Sequence, residues 1–171
     1  ADCMDIAVAL LSMLAAVRND GACGIAAMAV SAVDNALWDL KAKLLNLPLA
    51  LLLGSVRKDL PIYGSGGFTS YPVERLQKQL SGWAAQGIKQ VKMKIGREPE
   101  HDVYRVRMAK EAIGEKTALF VDANGAYSAR QAIEKARQFS DMGINWFEEP
   151  VPSYDLKGLN FIREHAPGHM N

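Results

Sequence analysis

Three stretches of this 171-residue sequence end in side chains suited to acid–base or metal chemistry. Val91-Lys92-Met93-Lys94-Ile95-Gly96 carries two lysines two positions apart. Phe120-Val121-Asp122-Ala123-Asn124-Gly125 closes an apolar run with an acid and an amide, and Trp146-Phe147-Glu148-Glu149-Pro150 sets adjacent carboxylates after two aromatics. Lys94, Asp122 and Glu148 are separated by 28 and 26 residues. A spacing that even expects one structural repeat delivering each of them to one rim.

The residue types restrict what such a rim does. A lysine acts as a base only where its ammonium is destabilised, and a second lysine or a bound cation close by does that. Asp122 and Asn124 suit a hard cation or a polar substrate group. Two carboxylates from adjacent strands form part of a ligand set for Mg²⁺, which prefers oxygen ligands. A cation beside a substrate carboxylate stabilises the enediolate left when the neighbouring carbon loses its proton. Each motif also has a plainer reading. Lys92 and Lys94 could line the solvated face of a strand. Asp122 and Asn124 could merely shape a turn. Glu149, more than Glu148, could be a solvated loop acid.

The elements that must position these residues follow from periodicity. Up to about Leu53 the texture is helical: Ile6 to Val17 expects a core helix, and Ala26, Val30, Val33, Leu37, Leu40 and Leu44 recur at helical steps until Pro48 closes the run. From Leu60 onward strands alternate with helices. Strands are expected at Leu60–Tyr63, Gln90–Ile95, Ala118–Val121 and Ile144–Phe147, with a glycine-rich turn, Gly64-Ser65-Gly66-Gly67, after the first. The intervening helices bury Leu76, Leu80 and Trp83; then Val103, Val106, Ala109 and Ile113; then Ala132, Ala136 and Phe139 behind a Ser128/Gln131 capping box. A last helix is expected near Leu156 to His165.

Four strand-plus-helix units demand right-handed crossovers and a parallel sheet. A doubly wound sheet or half of a TIM barrel satisfies the pattern, since a whole barrel needs eight units and roughly 250 residues. In either fold the active site gathers at the C-terminal strand ends.

Bulk properties narrow the partners. Twenty basic against nineteen acidic residues give a net charge of +1, so neither nucleic acid nor an anionic membrane is expected. Ile6 to Val17 is too short to span a bilayer, and Asp2 and Asp5 precede it where a secretory signal carries positive charge. Cys3 and Cys23 lack metal-ligand spacing and expect a reducing, cytoplasmic setting rather than a disulfide scaffold. Both ends look cut, the second in a loop from Ala166 to Asn171.

Ser31-Ala32-Val33-Asp34-Asn35-Ala36-Leu37-Trp38-Asp39-Leu40-Lys41-Ala42-Lys43, Lys92-Met93-Lys94, Val121-Asp122-Ala123-Asn124-Gly125 and Phe147-Glu148-Glu149-Pro150 together resemble the mandelate racemase and muconate lactonizing enzyme group of the enolase superfamily. The resemblance implies a Mg²⁺-dependent enzyme that abstracts the α-proton of a carboxylate substrate, leading to dehydration, racemisation, epimerisation or cycloisomerisation. It implies Lys94 as the base, Lys92 as its partner at the substrate carboxylate, and Asn124 as a substrate-binding residue. Asp122 and Glu148 become the first two of three metal ligands, with the third past the chain end. Residues 1–55 become the helical end of an α+β capping domain, and 56–171 the first half of a (β/α) barrel. The Phe-Glu-Glu-Pro form leans toward the mandelate racemase side of the group, which includes many acid-sugar dehydratases; a small carboxylate substrate, such as a sugar acid, and a homo-oligomer are expected. Two other readings stand beside this one. The chain could be a non-catalytic truncated piece or assembly module whose strand edges need covering, or a doubly wound enzyme using Gly64–Gly67 as a phosphate loop.

Overall fold

A computed structural model of the protein describes residues 2–21 and 23–168. The chain divides into two compact units, residues 1–60 and 61–171.

The first unit is helical: α1 (Ile6–Ala16), α2 (Gly24–Leu44) and the single turn α3 (Leu49–Leu52). Asp5 caps α1 by accepting from the Val8 N–H. The expected burial holds only in part. Ile6, Ala9, Val30 and Ala42 are buried, whereas Leu11, Val33, Leu40 and Leu44 are exposed. The 21-residue α2 packs within its unit against an 11-residue helix and one turn, too little surface to cover a full apolar stripe. Among the described residues no helix is long and apolar enough to cross a membrane.

The second unit repeats a strand and a helix four times: β1 (Gly64–Gly66), α4 (Val73–Ala85), β2 (Gln90–Lys94), α5 (Pro99–Ile113), β3 (Ala118–Asp122), α6 (Ala129–Asp141), β4 (Phe147–Glu148) and α7 (Leu156–His165). The strands lie in sequence order β1-β2-β3-β4, all parallel. A doubly wound sheet reverses its strand order at a switch point. This sheet has no reversal, and its order is that of consecutive barrel strands.

Helices cover one face of the sheet. Val91, Met93, Ile95, Leu119 and Val121 point into a core with Leu76 and Leu80 of α4, Val106 and Ala109 of α5, and Ala132, Ala136 and Phe139 of α6. Alternation then sends Lys92, Lys94, Phe120 and Asp122 to the opposite face. The Ser128/Gln131 capping box forms as expected at α6. Ala166–Gly168 are irregular, as expected, and the rest of that loop, His169 to Asn171, lies outside the described residues.

Two strands are displaced from their expected positions. The fourth pairs at Phe147 and Glu148, with Ile144 buried ahead of it. The first runs through the glycines, Gly64–Gly66, not through Leu60–Tyr63. A Cβ on Gly64 would lie 2.5 Å from Cε3 of Trp83, and one on Gly66 2.5 Å from Oε1 of Gln79. The glycine cluster is therefore neither a turn nor a phosphate loop. It is a strand whose helix-facing positions must lack side chains because Trp83 and Gln79 of α4 lie against its backbone.

Candidate active site

The register sets the site. Lys94, Asp122 and Glu148 are lateral partners across β2, β3 and β4, so the three side chains stand in one row at the C-terminal rim. One level below, Lys92 is paired with Phe120. Its side chain rises to the row above: Nζ donates to both oxygens of Glu148, at 2.9 and 2.8 Å, and lies 3.3 Å from Oδ2 of Asp122. Lys94 pairs with the same Oδ2, while Oδ1 accepts the backbone N–H of Asn124 at 2.9 Å. Two lysines and two acids form one linked cluster, and Asp122 stands at its centre.

Burial and partners set the charges. Asp122 is 1% exposed and Lys92 5%. Burial alone pushes the Asp122 carboxyl up, but hydrogen bonds from Lys94, the Asn124 backbone and Lys92 outweigh it and hold the group below the usual carboxylate range. Burial likewise works against the Lys92 ammonium. The hydrogen bonds and charges of Glu148 and Asp122 prevail and raise it above the ordinary lysine range. Lys92 is thus a fixed cation.

Aromatic side chains complete the surroundings. The ring of Tyr63 lies 5.3 Å from Lys92 Nζ and packs edge-on against Phe120. Trp146 leans on Phe120 and directs its indole N–H toward Glu148 Oε2 at 3.4 Å. In sequence these aromatics look like ordinary strand residues. The period-two alternation that puts Trp146 on the face of Glu148 is the signal that identifies it.

The turns leaving β3 and β4 are strained in the same way. Asn124 (φ +47°) and Glu149 (φ +45°) adopt the left-handed conformation, rare for residues other than glycine. They are tied together: Asn124 Nδ2 donates to Glu149 Oε2 at 3.0 Å, and the Gly125 N–H donates to Glu149 O at 2.7 Å. Asn124 therefore shapes its turn and bonds the neighbouring one. It also lines an open cleft of about 350 Å³ together with Lys94, Phe68, Thr69, Arg97 and Ala126.

Oxygen donors from neighbouring in-register strands suit a hard cation, and Asp122 and Glu148 supply them. Among the described residues no third His, Cys, Asp or Glu joins them. The two acids fit a Mg²⁺ ligand set as a part of it.

The sequence matches two family models in order: the N-terminal domain of mandelate racemase/muconate lactonizing enzymes over residues 4–54, and the enolase C-terminal domain-like family over residues 75–169. The chain belongs to the mandelate racemase/muconate lactonizing enzyme group of the enolase superfamily. Within the group it is 37% identical, over 157 residues, to the L-talarate/galactarate dehydratase of Salmonella typhimurium, covering 90% of this chain and 39% of that enzyme. A mandelate racemase/muconate lactonizing enzyme-like protein from Rubrobacter xylanophilus is 56% identical and superposes with a TM-score of 0.94, covering 99% of this chain and 48% of the other. A racemase from Streptomyces coelicolor A3(2) with bound magnesium is 36% identical, with a TM-score of 0.85 over 97% of this chain and 47% of its own. The chain thus spans about two fifths to half the length of these relatives. Its four βα units form part of the barrel architecture of the superfamily.

Proposed function

We propose that this chain supplies the proton-abstracting half of the active site of a Mg²⁺-dependent enzyme acting on a carboxylate substrate, of the acid-sugar dehydratase, racemase/epimerase or cycloisomerase type. The observation that carries the proposal is the linked cluster itself: a candidate base, Lys94, and two candidate metal ligands, Asp122 and Glu148, in one row at one rim, with a second lysine reaching them from below. Similarity to a dehydratase of L-talarate and galactarate favours a sugar acid as substrate.

In this reading Lys94, released from its ion pair with Asp122 and having first given up its own proton, takes the α-proton. The C–H bond breaks, an N–H bond forms, and the electron pair passes into the carboxylate to give an enediolate. Lys92, fixed as a cation by Glu148 and Asp122, holds the substrate carboxylate and opposes its growing charge. Asp122 and Glu148 hold Mg²⁺, which when bound supplies positive charge beside that carboxylate. Asn124, on the cleft beside Lys94, contacts the substrate. Residues 1–55 are the helical end of a capping domain, and 56–171 the first four barrel units. A cytoplasmic setting and homo-oligomeric assembly belong to the same proposal.

The test is exchange of the α-hydrogen of galactarate and related aldarates and aldonates with deuterated water. Exchange that requires Mg²⁺ and stops on chelation supports the reading; metal-independent exchange contradicts it.

The share of the relatives covered favours a second reading, in which these residues are a non-catalytic piece or assembly module. Intact mass and sizing separate the two: a mass well above 18.7 kDa per chain places the residues within a longer enzyme.

A further inference from the structure

One buried acid takes no part in the chemistry proposed above. Asp102, in the first turn of α5, is 2% exposed. Its Oδ2 accepts the backbone N–H of Gly96 at 2.9 Å and the hydroxyl of Tyr127. Gly96 lies two residues beyond Lys94, and Tyr127 closes the turn that follows Asp122 and Asn124. The Tyr127 N–H in turn donates to the carbonyl of Pro150 at 3.2 Å, in the turn after Glu148, and its ring packs edge-on against Phe147 of β4. A single carboxylate therefore joins the exits of β2 and β3 and, through Tyr127, reaches the exit of β4.

The fit at this junction is tight. Gly96 has φ +94°, and a Cβ there would lie 2.5 Å from Cβ of Ala126 and 3.3 Å from the Ala123 carbonyl oxygen. The strand exits meet backbone against side chain, so a shift at Gly96 carries over to the turn holding Asn124.

From this arrangement we infer that Asp102 is a positioning residue, acting through Gly96 and Tyr127 to hold the Lys94 amine in place against the Asp122 carboxylate, in the row that Glu148 completes. The inference rests on the proposed function for its importance to catalysis, though not for its geometry. Residues that orient metal ligands and catalytic groups from behind typically change affinity or activity by about 10- to 100-fold when removed.

The experiment uses the full chain with Asp102→Ala, Asp102→Asn and Tyr127→Phe. Tyr127→Phe keeps the ring and its packing, so it answers even if Asp102→Ala fails to fold. Two readouts go beyond stability: the side-chain ¹H–¹⁵N resonance of Lys94, and Mg²⁺ affinity by titration calorimetry. Asp102→Ala and Tyr127→Phe are expected to move the Lys94 resonance and weaken Mg²⁺ binding by about tenfold. Asp102→Asn, which keeps an acceptor oxygen, is expected to restore both to within about twofold of the parent. Variants that melt earlier while their folded state keeps the Lys94 resonance and the Mg²⁺ affinity overturn the inference. The galactarate exchange assay is scored separately: a moved Lys94 resonance without Mg²⁺-dependent exchange leaves Asp102 as a positioning residue and removes the proposed chemistry.

Discussion

The ammonium of Lys92 lies within 2.9 Å of both oxygens of Glu148, joining β2 to β4 across a strand that separates them. Where a parallel sheet curves as barrel strands do, inward side chains of alternate strands meet over the strand between them, and a long one can also rise a level. Lys92 does so, taking its charge to two acids in the row above.

Such a cation is costly to disturb. Lys92→Met keeps length and removes charge, leaving Asp122 buried with Lys94 as its remaining cationic partner. The expected loss is about 3 kcal/mol, the range found when one partner of a buried ion pair is removed. Urea unfolding of the two proteins measures it. A loss below about 1 kcal/mol would show that the cluster is better solvated than its burial indicates.

At β1 the glycines make a prediction about packing. Gly64→Ala brings a methyl group to 2.5 Å from the Trp83 ring. Either the ring or the strand must shift, at a cost of about 1–3 kcal/mol. Trp83 fluorescence should change together with stability. An unchanged spectrum and midpoint would contradict the assigned course of β1.

The Tyr127–Asp102 pair carries a pH signature. Burial first, and then the hydrogen bond and charge of Asp102, raise the Tyr127 hydroxyl above the ordinary tyrosine range. A raised folded-state value means that the contribution is fully present below the unfolded value, about 10, and is lost as pH climbs from there toward the folded value. The stability difference between the parent and Tyr127→Phe should therefore hold steady from pH 7 to about 9.5 and shrink above about 10. Urea midpoints across that range give the answer; a difference growing with alkalinity would reverse the sign.

Metal affinity tests the two acids separately. Asp122→Asn and Glu148→Gln each remove one anionic oxygen donor and should weaken Mg²⁺ binding by at least about tenfold, whereas Glu149→Gln should leave it within about twofold, because Glu149 bonds Asn124 in the neighbouring turn. Calorimetric titration with Mg²⁺ distinguishes them. Equal losses in all three variants would mean a diffuse electrostatic effect.

Much of this arrangement is legible in the residues alone, for physical reasons. Alternation with a period of two puts Lys92 and Lys94 on one face and Val91 and Met93 on the other, and the repeat spacing puts Lys94, Asp122 and Glu148 at equivalent strand ends. Gly64–Gly66 misleads because glycine ordinarily signals a turn; the need for a bare strand arises from Trp83, far along the chain. The fourth strand is displaced because Ile144 is apolar and buried without being paired. Asp102 looks like an acid favouring its helix N-terminus, and its partner Tyr127 is visible only once the turns are folded. Leu40 and Leu44 carry the period of a buried face that their own unit does not cover.

The most direct test of the account replaces its base. With Mg²⁺ present and an exchanging aldarate or aldonate in deuterated water, Lys94→Ala should abolish exchange of the α-hydrogen while the protein stays folded and still binds Mg²⁺. Exchange persisting in that variant at the parent rate would remove Lys94 from the role of base.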